Sequence, residues 1–384
     1  MRNRRTSGYS RHSIIYHSSS VKRIPVKLKQ NSYDALVGAG VLRRAGAEVR
    51  RLLPAKSSRV FVVTSPVVRR HWGRALEDSL RRARIGFEML EMYDGEPAKR
   101  LQTVEQLAEQ MVNAGADRKS LLVAFGGGVV GDSAGFLAAI FMRGIPVVQI
   151  PTTYLAQVDA SIGGKTGVNL RAGKNLIGAF HQPRAVLVDP EVLGTLDDRE
   201  LRAGLFEALK CGVIHDRELF EFMARQPQKI LARDRKALER TIVDSVRVKA
   251  AVVSADEKES GLRRILNYGH TIGHALEAAT GYTHFLHGEA VAWGMMAAAV
   301  IARDAGFCSA ETCEQIITPV RAYGPLPPVT CATEEVLRRL AADKKTVAGA
   351  VHFVLPQRIG KVTISSDVPP DIVRGAVEQI RNHG

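Results

Sequence analysis

Four short apolar runs, at 60–63, 87–92, 121–125 and 145–150, alternate with segments whose apolar residues recur at helical spacing. Helices are expected at 67–83 and 101–114, and a further one after the glycine cluster at 126–131. Strands joined by helix-length connections pair in parallel, and their helices cover both faces of the sheet. After about residue 189 the pattern changes: 198–214, 216–226, 229–255, 262–281 and 287–305 all read as helices. A short β-like piece at 351–364 and a helix from 371 close the chain. The expected fold class is therefore α/β. An N-terminal parallel-sheet domain (21–190) precedes a mainly α-helical domain (191–384), and ligands are expected between them, beyond the carboxyl ends of the strands.

Composition narrows the function classes. With 45% hydrophobic and 24% charged residues, the 384-residue chain can build a sizeable soluble core. No apolar run approaches the ~18 residues of a membrane span, so no membrane partner is expected. Cys211, Cys308, Cys313 and Cys331 form no CxxC pair, which points away from a zinc ribbon and toward a reducing, cytoplasmic setting. The formal charge of +15 is uneven: residues 1–33 hold eight Lys/Arg and no acid, leaving +7 on the rest. Basic residues elsewhere are scattered and aromatics are only 6%, so no nucleic-acid partner is expected. A small phosphate-bearing ligand suits this modest excess. Residues 1–20 read as a disordered basic extension, with a transit-like segment or a start placed too far upstream as alternatives.

Gly126, Gly128 and Gly131 satisfy G-x-G-x-x-G between a strand and a helix, the setting of a pyrophosphate cradle. The acid that a Rossmann site places about 20 residues later is missing, because that region is Ile150-Pro151-Thr152-Thr153. Asp94-Gly95-Glu96-Pro97-Ala98-Lys99 is a candidate replacement, or an ordinary turn. Gly163-Gly164-Lys165-Thr166 resembles a P-loop, but Asp159 stands where the first glycine must be, which excludes that reading. Lys165 and Lys174 lie in a glycine-rich region read as a compact loop suited to phosphate or a polyol. Arg143, at the end of the helix after the glycine cluster, either enters the same cleft or caps its helix.

The segment 263–295 carries His270, His274, His284 and His287, four of the eleven histidines. His270 and His274 share a helix face at i, i+4, and a Gly-Tyr-Thr turn separates them from a second helix opening at His287. Imidazoles converging from two helices either hold a divalent metal with a carboxylate from elsewhere or are hydrogen-bonded in the core. Glu207, an acid inside an apolar helical stretch, is either that carboxylate or the partner of Lys210.

These segments together resemble the 3-dehydroquinate synthase family, of the sugar-phosphate cyclase superfamily. The likeness keeps its order from DGEPAK at 94 through GGGVVGD, PTT, DASIGGKTGVN, GKNLIGAFHQP, GLFEALK, DEKESGLRRILNYGHTIGHALE and HGEAVAWGM to DKK at 343–345. The resemblance implies a Rossmann-like NAD-binding domain followed by a helical metal- and substrate-binding domain. It implies metal ligands Glu207, His270 and His287, for Zn2+ with Co2+ as the alternative, and puts His274 beside the substrate. Its implied NAD contacts are Asp94, Gly95, Glu96, Lys99, Gly128, Val129, Val130, Gly131, Asp132, Thr152, Thr153, Lys165, Lys174, Val192, Leu193, Gly194 and Thr195. Those implied for substrate and catalysis are Arg143, Asp159, Lys165, Asn175, Lys210, Lys249, Arg263, Asn267 and His274, His287 besides, with one of Lys344 and Lys345. His284 is left as structural. Phe206 and Cys211 depart from the family's usual residues without touching a proposed ligand.

The implied activity is that of a phosphate-eliminating lyase of the shikimate pathway, which leads to the aromatic amino acids. It takes 3-deoxy-D-arabino-heptulosonate 7-phosphate to 3-dehydroquinate and phosphate. Transient oxidation by NAD acidifies the neighbouring C–H, phosphate leaves, the hydride returns, and ring opening is followed by an intramolecular aldol. The resemblance also implies a homodimer. Alternatives are a cyclase making a valiolone, an inosose or an aminated quinate, and a metal-dependent polyol dehydrogenase on the same fold. KTGVN, GKN, Asn267, His274 and DKK favour the dehydroquinate pattern over the first, and the set of substrate cations disfavours the second.

Overall fold

The computed structural model describes residues 21–344 and 351–382; the expected extension at 1–20 lies outside the described residues. Strands β1 (Lys22–Val26), β2 (Tyr33–Val37), β3 (Val60–Thr64), β4 (Phe87–Glu91), β5 (Leu121–Gly126), β6 (Val147–Pro151) and β9 (Ala185–Val188) form one seven-stranded sheet, ordered β1-β2-β9-β6-β5-β3-β4. Only the β1–β2 pair is antiparallel. Successive residues of β3 and β5 face opposite sides. Val60, Val62, Leu121 and Val123 pack on α1 (Ala45–Leu52) and on α3 (Arg74–Arg82), the last helix of a run begun by α2 (Pro66–Val68). Phe61, Val63, Leu122 and Ala124 pack on α4 (Leu101–Asn113) and α5 (Gly128–Ile140). The chain thus moves from β3 outward to β4 and returns to β5 on the other side of β3, so a topological switch point opens at their carboxyl ends.

Between β6 and β9 the chain forms a two-stranded antiparallel hairpin of β7 (Lys165–Leu170) and β8 (Gly173–Phe180). This corrects the loop expected there: Gly167 and Gly178 lie face to face, where a side chain would strike the opposite backbone. Helices follow: α6 (Asp198–Ile214), α7 (Arg217–Arg225), α8 (Pro227–Leu231), α9 (Arg235–Ala255), α10 (His270–Ala279), α11 (His287–Asp304), α12 (Ala310–Ala322), α13 (Thr333–Lys344) and, after the β10 (Phe353–Arg358)–β11 (Lys361–Ser365) hairpin, α14 (Pro370–Asn382). Their core is continuous with the sheet edge through Ile24, Val26, Ala35, Val186 and Val188.

Two expected helices are broken. The 229–255 stretch is interrupted where Arg233 takes φ 58° and Asp234 accepts from Ala237 N to cap α9. The 262–281 stretch begins as a 3-10 turn, Leu262–Asn267, and restarts as α10 after Gly269 at φ 79°. A side chain at Gly269 would meet the Val291 carbonyl oxygen at 2.8 Å, so close packing on α11 breaks the run.

Candidate active site

Helices α6, α10 and α11 meet with almost no side chain between them. A Cβ on Gly288 would lie 1.8 Å from the Ala203 carbonyl oxygen, and one on Gly294 1.8 Å from that of Gly269. This contact brings Glu207 of α6 against His270 and His287, the first residues of α10 and α11. Glu207 is 1% exposed, and its Oε1 stands 3.7 Å from His270 Nε2 and 3.8 Å from His287 Nε2. That oxygen is buried without a hydrogen-bond partner. An orphaned carboxylate oxygen facing two imidazole nitrogens is the donor set of a divalent metal site, and separations slightly above the ~3.3 Å edge of a tetrahedron with 2.0–2.1 Å bonds suit one. Ligating nitrogens of His270, His274 and His287 also lie within 4.8 Å of one another, so geometry alone offers a second triad. Glu207 is buried and its Oε1 has no hydrogen-bond partner, whereas His274 is exposed, which favours Glu207, His270 and His287.

Charge around this centre is arranged by burial. Burial, with the charge of Lys210 next, holds His270 well below the ordinary imidazole range, so it is neutral with a lone pair to offer. Burial would also lower His287, but the hydrogen bond and charge of Glu277 outweigh it and raise it. Lys210 contacts the other oxygen of Glu207 and lies 3.9 Å from Asp159 Oδ1, so the salt-bridge reading of Glu207 and Lys210 also holds. Lys249 Nζ is 2.5 Å from the same Asp159 oxygen. Asp159, flanked by these two lysines, is held far below the usual carboxylate range although burial opposes it. Burial lowers Lys249; Asp159 offsets this in part, while the charges of Lys210 and Arg263 add to the lowering.

The 256–267 segment supplies the opposite wall. Glu259 binds Lys165 of β7 and accepts from Asn267 Nδ2 at 3.0 Å. Arg263, 2% exposed, donates to the carbonyls of Glu257 (2.5 Å) and Gly163 (3.1 Å), which ties this segment to the hairpin. Sequence reasoning missed Glu259 and Glu277, and the available signal was their place inside the motif segment 256–277.

Of the residues expected at NAD, Lys165 and Lys174 lie on the β7–β8 hairpin and the others follow the carboxyl ends of β4, β5, β6 and β9. The first turn of α5, over Gly128, Val129 and Val130, has no side-chain cap, and Gly131 donates to the Gly127 carbonyl. A side chain at Gly126 would strike Val130 at 2.6 Å and one at Gly127 would strike Thr153 at 2.9 Å, whereas a Cβ at Gly128 would meet only Ala160 Cβ, at 3.6 Å. An uncapped helix start beside glycine backbone fits a pyrophosphate. Lys99 is buried and gives its ammonium to Asp132 Oδ2 and Asn175 Oδ1, both at 2.5 Å, so it braces α5 to the hairpin. Burial raises Asp132 despite that lysine. Glu96 accepts from Asn169 Nδ2 at 2.7 Å, Asp94 and Gly95 are exposed beside it, and Thr152 is buried. In the 192–195 turn Val192 and Leu193 are core residues, whereas Gly194 and Thr195 are exposed.

Arg143 is exposed at φ 70° and makes no hydrogen bond or ion pair with a described residue. Lys344 ends α13 without a described side chain, and Lys345 lies outside the described residues. His284 Nε2 meets the Pro328 carbonyl at 2.9 Å, a structural contact away from the cluster.

Known proteins resemble this chain in fold and in sequence. Among solved structures, a 2-epi-5-epi-valiolone synthase from Streptomyces hygroscopicus with NAD+ and Zn2+ bound matches with TM-score 0.84 and 30% identity over 96% of this chain and 100% of that one. A 2-deoxy-scyllo-inosose synthase complexed with carbaglucose-6-phosphate, NAD+ and Co2+ matches with TM-score 0.83 and 27% identity over 94% and 99%. An iron-containing alcohol dehydrogenase shares the fold alone, at 18% identity and TM-score 0.67. In sequence, 3-dehydroquinate synthases of Koribacter versatilis and Solibacter usitatus are 54% and 53% identical, over 94% and 91% of this chain and 98% and 96% of theirs. The models for the N-terminal and C-terminal parts of 3-dehydroquinate synthase match residues 89–203 and 204–346. On these two models and the near-full-length relatives, the chain belongs to the 3-dehydroquinate synthase family.

Proposed function

We propose that this chain converts 3-deoxy-D-arabino-heptulosonate 7-phosphate to 3-dehydroquinate and inorganic phosphate, with residues 21–190 holding NAD and 191–384 holding metal and substrate. The carrying observation is that Lys210, paired with the candidate ligand Glu207, also shares Asp159 with Lys249. Phosphate and carboxylate binding thus sits directly beside the donor set of Glu207, His270 and His287. When bound, NAD supplies a reversible hydride acceptor and the metal a Lewis acid for a substrate hydroxyl.

The chain's own groups do the rest. Lys165, Lys210, Lys249 and Arg263 bind the anionic ends of the substrate, and Asp159 keeps the two buried lysines close despite their repulsion. The Lys165–Glu259 pair is open to solvent on the lysine side, so a substrate anion can take over Lys165 while Glu259 keeps Asn267 oriented. Asn267 and Asn175 orient hydroxyls. His274, exposed at the mouth, accepts or returns a proton at its ring nitrogen. No helix among the described residues is long and apolar enough to cross a membrane. We infer a cytoplasmic homodimer from the family likeness and the four free cysteines.

The test is a phosphate-release assay with NAD and zinc. Dehydroquinate and phosphate should form in equal amounts without net NADH. Turnover of a valiolone or inosose precursor in its place would select another cyclase, and net NADH from a simple polyol would select a dehydrogenase. Light scattering at twice the 41.9 kDa chain mass tests the dimer.

A further inference from the structure

Glu277 is a buried acid that neither the motif reading nor the proposed mechanism uses. It lies on α10, two turns after His270, and is 2% exposed. Each carboxylate oxygen has one partner: Oε2 stands 3.1 Å from His287 Nδ1, and Oε1 accepts from Lys174 Nζ at 2.9 Å. The other nitrogen of the same imidazole, Nε2, faces Glu207 Oε1. A neutral imidazole carries one ring proton. An acceptor at Nδ1 keeps that proton there and turns the Nε2 lone pair toward Glu207 and His270. Lys174 belongs to the β7–β8 hairpin, and its ammonium also stands 4.7 Å over the Tyr282 ring, in the turn between α10 and α11. Without Lys174, the carboxylate would be a buried anion with a single partner.

We infer that Glu277 is the positioning residue that sets the tautomer and orientation of His287 for metal binding, and that through Lys174 it links the strength of metal binding to the position of the β7–β8 hairpin. The inference rests on the assignment of Glu207, His270 and His287 as metal ligands. The simpler view, a buried ion pair that only stabilises the fold, predicts altered melting with unaltered metal affinity.

Cobalt titration of the full-length metal-free protein, read by visible absorption, separates these views, with zinc affinity measured by competition against a chromophoric chelator. The unsubstituted protein should bind one equivalent and His287→Ala none. If the unsubstituted protein binds no metal, or His287→Ala retains it, the ligand assignment fails whatever Glu277 does. With that control in place, Glu277→Gln should weaken cobalt binding about 10- to 100-fold and alter the visible band, and Glu277→Asp should recover part of the loss. Lys174→Met should weaken binding by less, and should add nothing in the Glu277→Gln background. Cobalt affinity of Glu277→Gln within twofold of the unsubstituted protein would overturn the positioning role. If that variant fails to fold by circular dichroism, Lys174→Met, altered at a partly exposed site, still decides: unchanged affinity overturns the link to the hairpin, and Glu277→Asp decides the rest.

Discussion

Asp159 shows how much of this site depends on single charges. It is the common partner of Lys249 and Lys210, whose side chains are 7% and 1% exposed. Asp159→Ala should destabilise the metal-free protein by about 3 kcal/mol in urea unfolding, because it takes the partner from the buried Lys249 ammonium beside Lys210, which keeps only Glu207. A loss below about 1 kcal/mol would show that water already compensates them. At this scale the sequence marked Glu207 because an acid in an apolar helical stretch is conspicuous. It did not mark Glu259 or Glu277, since their partners Lys165, Asn267, Lys174 and His287 come from segments far apart in the chain or from across a turn. Nor did it show that Lys99, expected at the cofactor, pairs with Asp132 and Asn175.

Between elements, backbone contact sets the geometry. Gly288→Ala would push α11 off the Ala203 carbonyl and carry His287 away from Glu207. It should cost about 1–3 kcal/mol and weaken cobalt binding in parallel, and a variant unchanged in both would show that the helices can slide apart freely. The opening of α11 is held from the other side by Glu289, which accepts from Leu286 N at 2.8 Å and from Arg199 Nε at 2.7 Å. The 256–267 segment has its own clamp in Asp256. Backbone N–H groups of Arg263, Gly261 and Ser260 lower its carboxyl to about 2. The folded-state value lies below the unfolded one, so this contribution is fully present above about pH 4 and is lost as pH falls through about 2. A carboxyl titration by NMR should find that midpoint, and Asp256→Asn should remove the acid dependence of this segment. The clamp was not readable from periodicity. Leu262, Ile265 and Leu266 fit a helix pattern, and only packing around Gly269 turned the stretch into a 3-10 turn and a restarted helix.

For the whole molecule, one core joins the sheet edge to the helices, so ligands bound in the cleft act on the entire fold. Metal and NAD at about 100 times their dissociation constants should each stabilise it by about 2.7 kcal/mol, and chelation should reverse the metal's share. A melting curve in which ligand shifts only one of two transitions would show that the two halves unfold separately.

The sequence was enough for the α/β-then-helix order, the glycine turn at the carboxyl end of β5, and Glu207 and the histidines as candidates, while the choice of Glu207, His270 and His287 came from the family resemblance. Periodicity, glycine placement and conspicuous polar residues are properties of neighbouring positions, and they survive without a fold. The tertiary structure alone decided that β7 and β8 form a hairpin, that Lys99 serves Asp132 and that Glu277 stands behind His287. Such pairings depend on which distant backbones approach within a few ångströms, and close helix contact at Gly288 and Gly294 fixes that only once the chain has packed.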